Sequence, residues 1–323
     1  MKAGVRLRWQ VYILGLILLG QTIVLFSFFV PFFLSEMIIS FLPYEFILSI
    51  VGLALVRNRN TPIVPLAMAT AWIFCVGFYL LAIGLPVSNI RSISVNSHQS
   101  IRVASYNKLV LSQLNKSTLN QLSSKHYDVL TVVELEPHNY QKIAKNWKYS
   151  IRTDCACDPA SEKKTSELAI FSSFPLSKKL NDQDIIKHGG SQLPAELNFH
   201  GQKIDLLAVH PDAPYTKQKS YKQDLQLRQL QSQFEKISTP TVIMGDFNLT
   251  AFSPRYRNLF DDANLYDAGF NQGFKITWCF NEAKFFCAPI DHILSNGFLV
   301  NYYGVKKIGN SDHRLIEANL VLK

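Results

Sequence analysis

Thr241-Val242-Ile243-Met244 runs without a break into Gly245-Asp246-Phe247-Asn248. Three β-branched residues and a methionine favour a buried, pleated strand. A glycine, a carboxylate and an amide then end it. Open α/β sheets bind their ligands beyond strand ends. An Asp in such a position is nonetheless more often a turn or cap residue than a ligand. The meaning of Asp246 and Asn248 therefore depends on how the other strands end.

They end in the same way. Ile101–Tyr106 runs into Asn107, Val129–Val133 into Glu134, and Ile204–Val209 into His210-Pro211. Ile290 leads into Asp291-His292, and Ser311-Asp312-His313 precedes a last β-rich run, Leu315–Val321. Leu168–Phe171 is a further short run of the same kind. Helical patterns lie between several of them. Lys217–Ile237 places Tyr221, Leu225, Leu230 and Phe234 at roughly helical spacing. Ser253-Pro254 offers a hydroxyl N-cap followed by a proline in the first turn. Strands interleaved with helices predict an α/β (or α+β) domain with one large core. Carboxylates, amides and histidines gathered beyond the strand ends would share one polar pocket. Carboxylate and amide oxygens suit a hard cation such as Mg²⁺, which keeps part of its water and binds phosphate oxygens.

Taken in order, Ser105-Tyr106-Asn107, the run 128–134, the run 168–172, Val209-His210-Pro211, the run 245–248, the run 290–294 and Ser311-Asp312-His313-Arg314 carry a resemblance. They resemble the endonuclease/exonuclease/phosphatase superfamily, the group of deoxyribonuclease I, abasic-site endonucleases, inositol-polyphosphate phosphatases and neutral sphingomyelinases. The resemblance covers roughly residues 100 to 323. The Ser253-Pro254 helix start is similar to that of bacterial members with an N-terminal membrane anchor. The implied fold is a four-layer sandwich of two mixed β-sheets flanked by helices.

The resemblance also implies roles. Glu134 looks like the main Mg²⁺ ligand, helped by Asn107 and Asp312, with Mn²⁺ as a possible substitute. Asp246 and Asn248 would hold the attacking water and a phosphate oxygen. Asp291 would pair with His313, which acts as general base or as electrostatic partner of the phosphate. His210 would stabilise the phosphoryl oxygens or protonate the leaving group. Glu167, just before its strand, would pair with His210 as a carboxylate does in deoxyribonuclease I-like members. Glu136 is a backup ligand, and His292 should point to the opposite face of its strand from Asp291. Charge builds on non-bridging and leaving oxygens as a phosphoester is cut, and a metal with cationic imidazoles offsets it. Leu109 and His210 differ from the carboxylate and tyrosine of abasic-site endonucleases and steer away from DNA repair. Asn310 and Leu315 replace a Gly and a Pro often seen around the last motif.

The chain has 323 residues, of which 48% are hydrophobic. That excludes a disordered chain, a collagen and a small disulfide knot. Only five of 33 Lys/Arg and two of 24 Asp/Glu precede residue 86, which leaves a normally charged body of 28 basic and 22 acidic residues. A mild positive excess weakly favours phosphates or anionic lipid. In the greasy first quarter, three apolar runs, Val11–Leu34, Met37–Val56 and Ile63–Leu85, are read as transmembrane spans, the second weakened by Pro43 and Glu45. The first is too long for a cleaved signal and lacks a small-x-small site. Lys2, Arg6 and Arg8 before it, and Arg57 and Arg59 between the second and third, predict a cytoplasmic amino terminus. Three crossings put the body on the outer, periplasmic side of a bacterial inner membrane; two would leave it in the cytoplasm. Residues 1–85 form the membrane region, 86–100 a polar linker, and 101–323 the catalytic domain.

Five cysteines remain. Cys75 lies inside the third apolar run, where packing is expected. Cys279 and Cys287 flank a segment that could be a hairpin and are the preferred disulfide in an oxidising compartment. Cys155 and Cys157 are too close for an easy mutual bridge, and the spacings do not fit a zinc finger. The expected enzyme is a membrane-anchored, Mg²⁺-dependent phosphodiesterase. Nuclease-like cleavage is slightly favoured, with Lys217, Lys219, Lys222 and Arg228 as phosphate contacts. The alternative is a lipid or small-molecule phosphodiester, and a non-catalytic binding domain is the third reading. No protein partner is inferable.

Overall fold

A computed structural model describes residues 3–29, 33–56, 63–84, 99–110, 112–123, 126–153, 167–181, 184, 191–234, 239–259, 265–269, 272, 275–280 and 286–323. Beyond residue 98 the chain builds two six-stranded mixed sheets. The first contains β1 (Ser100–Asn107), β2 (Val129–Leu135), β3 (Tyr149–Arg152), β4 (Glu167–Ser172), β13 (Phe298–Lys306) and β14 (Leu315–Leu322), in the order β13-β14-β1-β2-β4-β3. The second contains β5 (Leu176–Lys178), β6 (Gln192–Phe199), β7 (Gln202–Val209), β8 (Thr241–Asp246), β9 (Tyr266–Asp267) and β12 (Asp291–Asn296), in the order β5-β6-β7-β8-β12-β9. A separate hairpin pairs β10 (Trp278–Cys279) with β11 (Cys287–Ala288).

Each sheet has one parallel pair at its centre, β1 with β2 and β7 with β8. Parallel neighbours require a crossover. Helix α5 (Lys116–Leu122) lies on the first crossover and α7 (Lys217–Phe234) on the second. Both parallel pairs are buried on two faces, which is why their sequences are continuously apolar rather than alternating. Ile101, Val103, Val129 and Val133 face Leu206, Ala208, Val242 and Met244 across the central core. On the outer faces, Leu130 and Val132 pack toward Leu122 of α5 and Ile143 of α6 (Pro137–Ala144). Leu207, Val209 and Ile243 pack against Leu227 and Leu230 of α7 and Tyr256 of α8 (Pro254–Asn258). These are the four layers expected. Strands β6 and β13 were not among the β-rich runs read from the sequence.

Two local expectations are refined. Ser253 caps α8, its hydroxyl accepting the Arg255 and Tyr256 amides. Helix α7 forms where expected, but Tyr221 and Leu225 are exposed while Gln223, Gln226, Leu227 and Leu230 are buried. The reason is polar. The Gln226 side chain donates to the Asp212 carboxylate and accepts its amide, both at 2.8 Å. Gln223 donates to the Asn248 carbonyl at 3.4 Å. The helix thus turns its glutamines toward the loops after β7 and β8. Phe234 and the rest of the expected stripe to Ile237 lie outside the described side chains.

The first quarter forms α1 (Ala3–Phe29), α2 (Ser35–Ser40), α3 (Leu42–Val56) and α4 (Ile63–Gly84). Among the described residues, Trp9–Phe29 is the one helical stretch long and apolar enough to cross a membrane, while Leu42–Val56 and Pro65–Leu80 are apolar but shorter. The second apolar run is therefore not one helix from Met37. It breaks at Phe41, and Pro43, tolerated in a first turn, opens the 15-residue α3, about 22 Å long. Glu45 is satisfied inside the bundle by the Ser49 hydroxyl at 2.6 Å and the Trp72 indole at 3.2 Å. Gln21 reaches Ser49 at 3.4 Å, so polar side chains tie α1, α3 and α4 together. A side chain at Gly52 would lie 2.5 Å from Ile17, so α3 approaches α1 closely because it carries a glycine there. Cys75 is exposed on the bundle surface rather than packed within it.

The bundle abuts the two-sheet sandwich at one end. Val24 of α1, Ile39 of α2, Leu42 of α3 and Val76 and Leu80 of α4 share one buried cluster with Phe252. Tyr79 donates to the Phe252 carbonyl at 2.6 Å. The Tyr44 hydroxyl donates to the Cys287 carbonyl at 3.1 Å and accepts its amide at 2.9 Å. The carboxyl ends of α1 and α4 and the amino end of α3 therefore all meet the domain.

Candidate active site

The carboxyl ends of the two parallel pairs meet at one edge of the sandwich. Asn107 ends β1, Asp246 ends β8, and His210 follows β7. Glu134 sits one residue before the end of β2 at a β-bulge, with φ of 58°. Leu109 (φ 62°) and Asn248 (φ 50°) are left-handed as well, and all three line one cavity of about 640 Å³. Non-glycine residues rarely adopt this conformation, and local strain of this kind collects at functional sites. Gly245 is required for a different reason: a Cβ there would lie 1.9 Å from the Val209 carbonyl oxygen of the adjacent parallel strand. Only glycine lets β8 deliver Asp246 beside β7.

Glu134, His210, Asp246, Asn248, Asp312 and His313 line the cavity. Asn107 and Asp291 stand behind them, 0% and 2% exposed. The Asn107 amide donates to Glu134 at 3.2 Å and to Asp246 at 3.0 Å, joining the two sheets across the site. Its oxygen accepts the Leu109 amide at 2.9 Å. Asp246 also accepts the Asn248 amide at 2.8 Å, and the Asn248 side chain donates to the Pro211 carbonyl at 2.9 Å. Asn248 thereby fastens the His210 loop to the end of β8. Register pairs Asp291 with Asp246 on neighbouring strands. The Asp291 carboxylate lies 2.9 Å from His313 Nδ1, and the other ring nitrogen is 3.6 Å from Asp246. His210 Nε2 lies 3.7 Å from Glu134 and 3.9 Å from Asp246.

The electrostatics follow from these contacts. Burial works against a charged His313, but Asp291 and Asp246 overcome it and push the imidazole up to about 10. Asp291 is the partner bonded to it, so at neutral pH His313 is an imidazolium fixed through Nδ1. Burial raises Asp246 to about 6 against the pull of His313. Burial also opposes ionisation of Glu134, yet His210, the Val110 amide and Asn107 hold it below the usual carboxylate range. Asp246, Asp291 and His313 offer ligand atoms within 4.8 Å of one another. Within that trio His313 Nδ1 is bonded to Asp291, which makes an Asp291–His313 dyad facing the Asp246 carboxylate. Asp312 carries the stronger sign of a cation. One of its oxygens accepts the Trp278 indole at 2.8 Å, and the other is buried without a hydrogen-bond partner. An anionic oxygen left bare on a residue that lines the same cavity as Glu134 fits a hard cation.

Other expectations come apart here. Glu167 opens β4, paired with Leu135; its side chain, and so its pairing with His210, lies outside the described residues. Glu136 turns away from the pocket. The bulge at Glu134 breaks the alternation that would have put both on one face. Glu136 instead sits before α6, bonded by Lys108 at 3.0 Å and Asn139 at 2.9 Å. His292 does point away from Asp291, to Asp267 at 2.8 Å and the Leu249 carbonyl at 2.9 Å. Cys279 and Cys287 are bridged across β10 and β11; Cys155 and Cys157 are outside the described residues.

Sequence reading missed three supports. Lys108 is fully buried, its ammonium bonded to the Leu109, Val110 and Ser112 carbonyls as well as Glu136. It shapes the loop whose Val110 amide donates to Glu134 at 2.9 Å. Thr277 accepts the Ile290 and Asp291 amides at 3.0 Å each. Trp278 holds Asp312. Only Trp278, next to a predicted disulfide cysteine, had a sequence cue.

Two facing mixed sheets, with acidic, amide and imidazole side chains over the ends of their parallel strands, define a four-layer α/β sandwich with one polar pocket at its edge. The sequence model described as Endonuclease/Exonuclease/phosphatase family matches residues 94–313, and the chain belongs to that family. It is accordingly an enzyme, a phosphoester hydrolase. None of the curated proteins compared with it matches. Among solved structures, D. rerio TDP2 complexed with a single-stranded DNA product superposes with a TM-score of 0.52 at 17% identity, covering 70% of this chain and 99% of that one. The mannosyl-6-phosphatase of Bacteroides thetaiotaomicron gives 0.50 at 17% identity, covering 69% and 100%. At such identity the likeness is one of fold.

Proposed function

We propose that this chain is a membrane-anchored, divalent-cation-dependent phosphodiesterase, with Mg²⁺ as the cation and Mn²⁺ as a substitute. The observation that carries the reading is the pair of oxygen-rich groups on opposite sheets, Glu134 and Asp246, linked by Asn107 and faced by the Asp291–His313 dyad. Glu134 and the bare oxygen of Asp312 would hold the cation, which when bound supplies Lewis-acid stabilisation of phosphoryl oxygens. The chain's own residues do the rest. Asp246, raised toward neutrality, accepts a proton from water at its carboxylate. The water oxygen bonds to phosphorus, one P–O bond breaks, and the departing alkoxide takes a proton. His313 donates from Nε2 to a non-bridging oxygen while Asp291 fixes its ring. His210, at the cavity wall, stands where it can protonate the leaving oxygen. No side chain acts as nucleophile.

The helices favour anchoring by α1 with α3 and α4 beside it, because all three pack together and against the domain rather than leaving α1 as a separable leader. With the basic flanks, three crossings and an outer-side catalytic domain are the topology we favour. A nuclease is the second reading, supported by Lys219 and Lys222 in the cavity wall. Lys222 is, however, engaged by Asp212 at 3.0 Å, and Lys219 by Tyr215. The test uses the detergent-solubilised full chain with bis(p-nitrophenyl) phosphate. Mg²⁺-dependent release of nitrophenol, abolished by EDTA and by Asp246→Ala, is expected. Cutting that persists in EDTA would overturn the cation assignment.

A further inference from the structure

The cavity has a wall that does not belong to the sandwich. Glu36, Met37, Ser40 and Phe41, from α2 and the turn after it, line the same space as Glu134, His210, Asp246 and His313. The family match begins at residue 94, so this wall is an addition to the family core. It is held in place rather than loosely apposed. Glu36, 3% exposed, pairs with Arg255 at 3.2 Å, and Arg255 also pairs with Asp224 of α7 at 3.0 Å. On the other side, Phe41 meets the Phe286 ring edge-on at 5.9 Å, and Tyr44 grips Cys287 through its backbone. The bridged hairpin and α2 therefore form one continuous rim, on which Met37, Phe280 and Phe286 remain exposed.

That rim stands at the domain-facing end of the helix bundle. The bundle's outer surface is apolar: Leu16, Leu48, Leu55, Phe74 and Phe78 are each more than two-thirds exposed. In the membrane-anchored reading proposed above, that surface faces hydrocarbon. The carboxyl ends of α1 and α4 reach the catalytic domain, so in that reading the rim lies where the helices leave the bilayer. The cavity thus has two unlike sides. One is a polar catalytic floor with Lys219 and Lys222; the other is an apolar rim continuous with lipid-facing helices. A soluble polyanion has no use for the second side. An amphiphile anchored in the same membrane would use both.

We infer, resting on the membrane-anchored hydrolase reading above, that the substrate is a phosphoester lipid that enters sideways from the adjoining leaflet. Its phosphate reaches the catalytic floor, and the first carbons of its apolar part cross the α2–hairpin rim at Met37 and Phe41. The membrane segment is then a part of the substrate site as well as an anchor. Hydrolysis breaks a P–O bond of the lipid, water supplying the hydroxyl to phosphorus and the proton to the departing alcohol.

The test compares three substrates on the full chain: vesicles of phosphatidylcholine and phosphatidylglycerol in equal parts, bis(p-nitrophenyl) phosphate, and a single-stranded DNA oligonucleotide. The expected result is lipid cleavage with a kcat/KM above that for the soluble diester. Met37→Asp and Phe41→Ala should each lower the lipid-to-soluble kcat/KM ratio about tenfold, and Phe41→Leu should restore most of it. A second measurement needs no variant. Short-chain dihexanoyl phosphatidylcholine should compete with the soluble diester at concentrations where phosphocholine does not. Cleavage of DNA and the soluble diester without lipid cleavage, or equal competition by phosphocholine, overturns the lipid assignment and leaves the hydrolase reading standing. Failure on all three substrates, by a folded protein that binds Mg²⁺, overturns both.

Discussion

Replacing Lys108 with methionine keeps the length and bulk of the side chain and removes its charge. Lys108 is 0% exposed, and its ammonium serves four acceptors. Its ionic partner, Glu136, lies 2.9 Å away and keeps 19% of its side chain exposed. Breaking a fully buried pair costs about 3–5 kcal/mol because the surviving charge is stranded. Here solvent reaches Glu136, so about 2–3 kcal/mol is expected, read as a lower urea midpoint with unchanged slope. The functional effect runs through the loop 108–110. Its Val110 amide holds one Glu134 oxygen, and Glu134 is the proposed cation ligand. Loss of such an outer support weakens metal affinity about 10–100-fold. A Mg²⁺ titration of diesterase activity should therefore show a raised half-saturation, with kcat largely recovered at high Mg²⁺. Glu136→Gln, alone and with Lys108→Met, separates the ion pair from the carbonyl contacts. A destabilised Lys108→Met protein with the wild-type Mg²⁺ requirement would refute the positioning argument.

Further outcomes concern the site and its frame. Asp246→Ala and His313→Ala should each reduce turnover by about 10²–10⁴ with the melting transition preserved, since each removes a proton-transfer or charge-stabilising group; near-normal activity in either folded variant would sink the assignment. Asp291→Asn should bring the His313 imidazole down from about 10, moving the alkaline fall of activity to lower pH, as a pH–rate profile would show. The Asp267–His292 pair sets a stability window. Burial opposes both charges, but His292 lowers Asp267 and Asp267 raises His292. The Asp267 contribution is present above the unfolded carboxyl value and lost as pH falls through the lowered folded one. The His292 contribution is complete below the unfolded imidazole value and lost as pH rises through the raised folded one. The stability difference between wild type and His292→Ala should thus be greatest on a plateau between about pH 4 and 6.5 and shrink on either side of it, and a difference by chemical denaturation that stays unchanged well below and well above that window would contradict the pairing. Thiol labelling of the folded, unreduced protein should modify neither Cys279 nor Cys287; labelling of both would remove the bridge that supports the rim.

Much of the site was legible because its members stand at strand termini: Asn107, Glu134, His210 and Asp246 where an apolar run stops at a polar residue, Asp291 at the start of β12, and Asp312 and His313 just before β14. That local signal needs no partner to be seen, and it marked Asn107, Glu134, His210 and Asp246 as residues at or just after strand ends, whereas Asp291 opens its strand. Periodicity failed where tertiary contacts overrode it. Tyr221 and Leu225 looked like a core stripe, but Gln223 and Gln226 are buried instead because the loops after β7 and β8 satisfy their amides. Glu136 looked like a second ligand on the same face as Glu134, but the left-handed bulge at Glu134 reversed the alternation. Lys108 left no trace in the sequence, since a lysine after a strand reads as an exposed charge until four acceptors close around it.

The order of strand-ending motifs, the apolar first quarter and the cysteine spacing were determined by sequence alone, because propensity, hydropathy and chain proximity are local properties. Only the tertiary structure decided that α2 would close the catalytic cavity. Glu36 and Arg255 stand more than two hundred residues apart, and no local rule brings a short helix between two apolar ones onto an active site. Long-range ion pairing, a shared Phe252 cluster and the Tyr44 contact to the bridged hairpin do so together, and each exists only once both parts have folded.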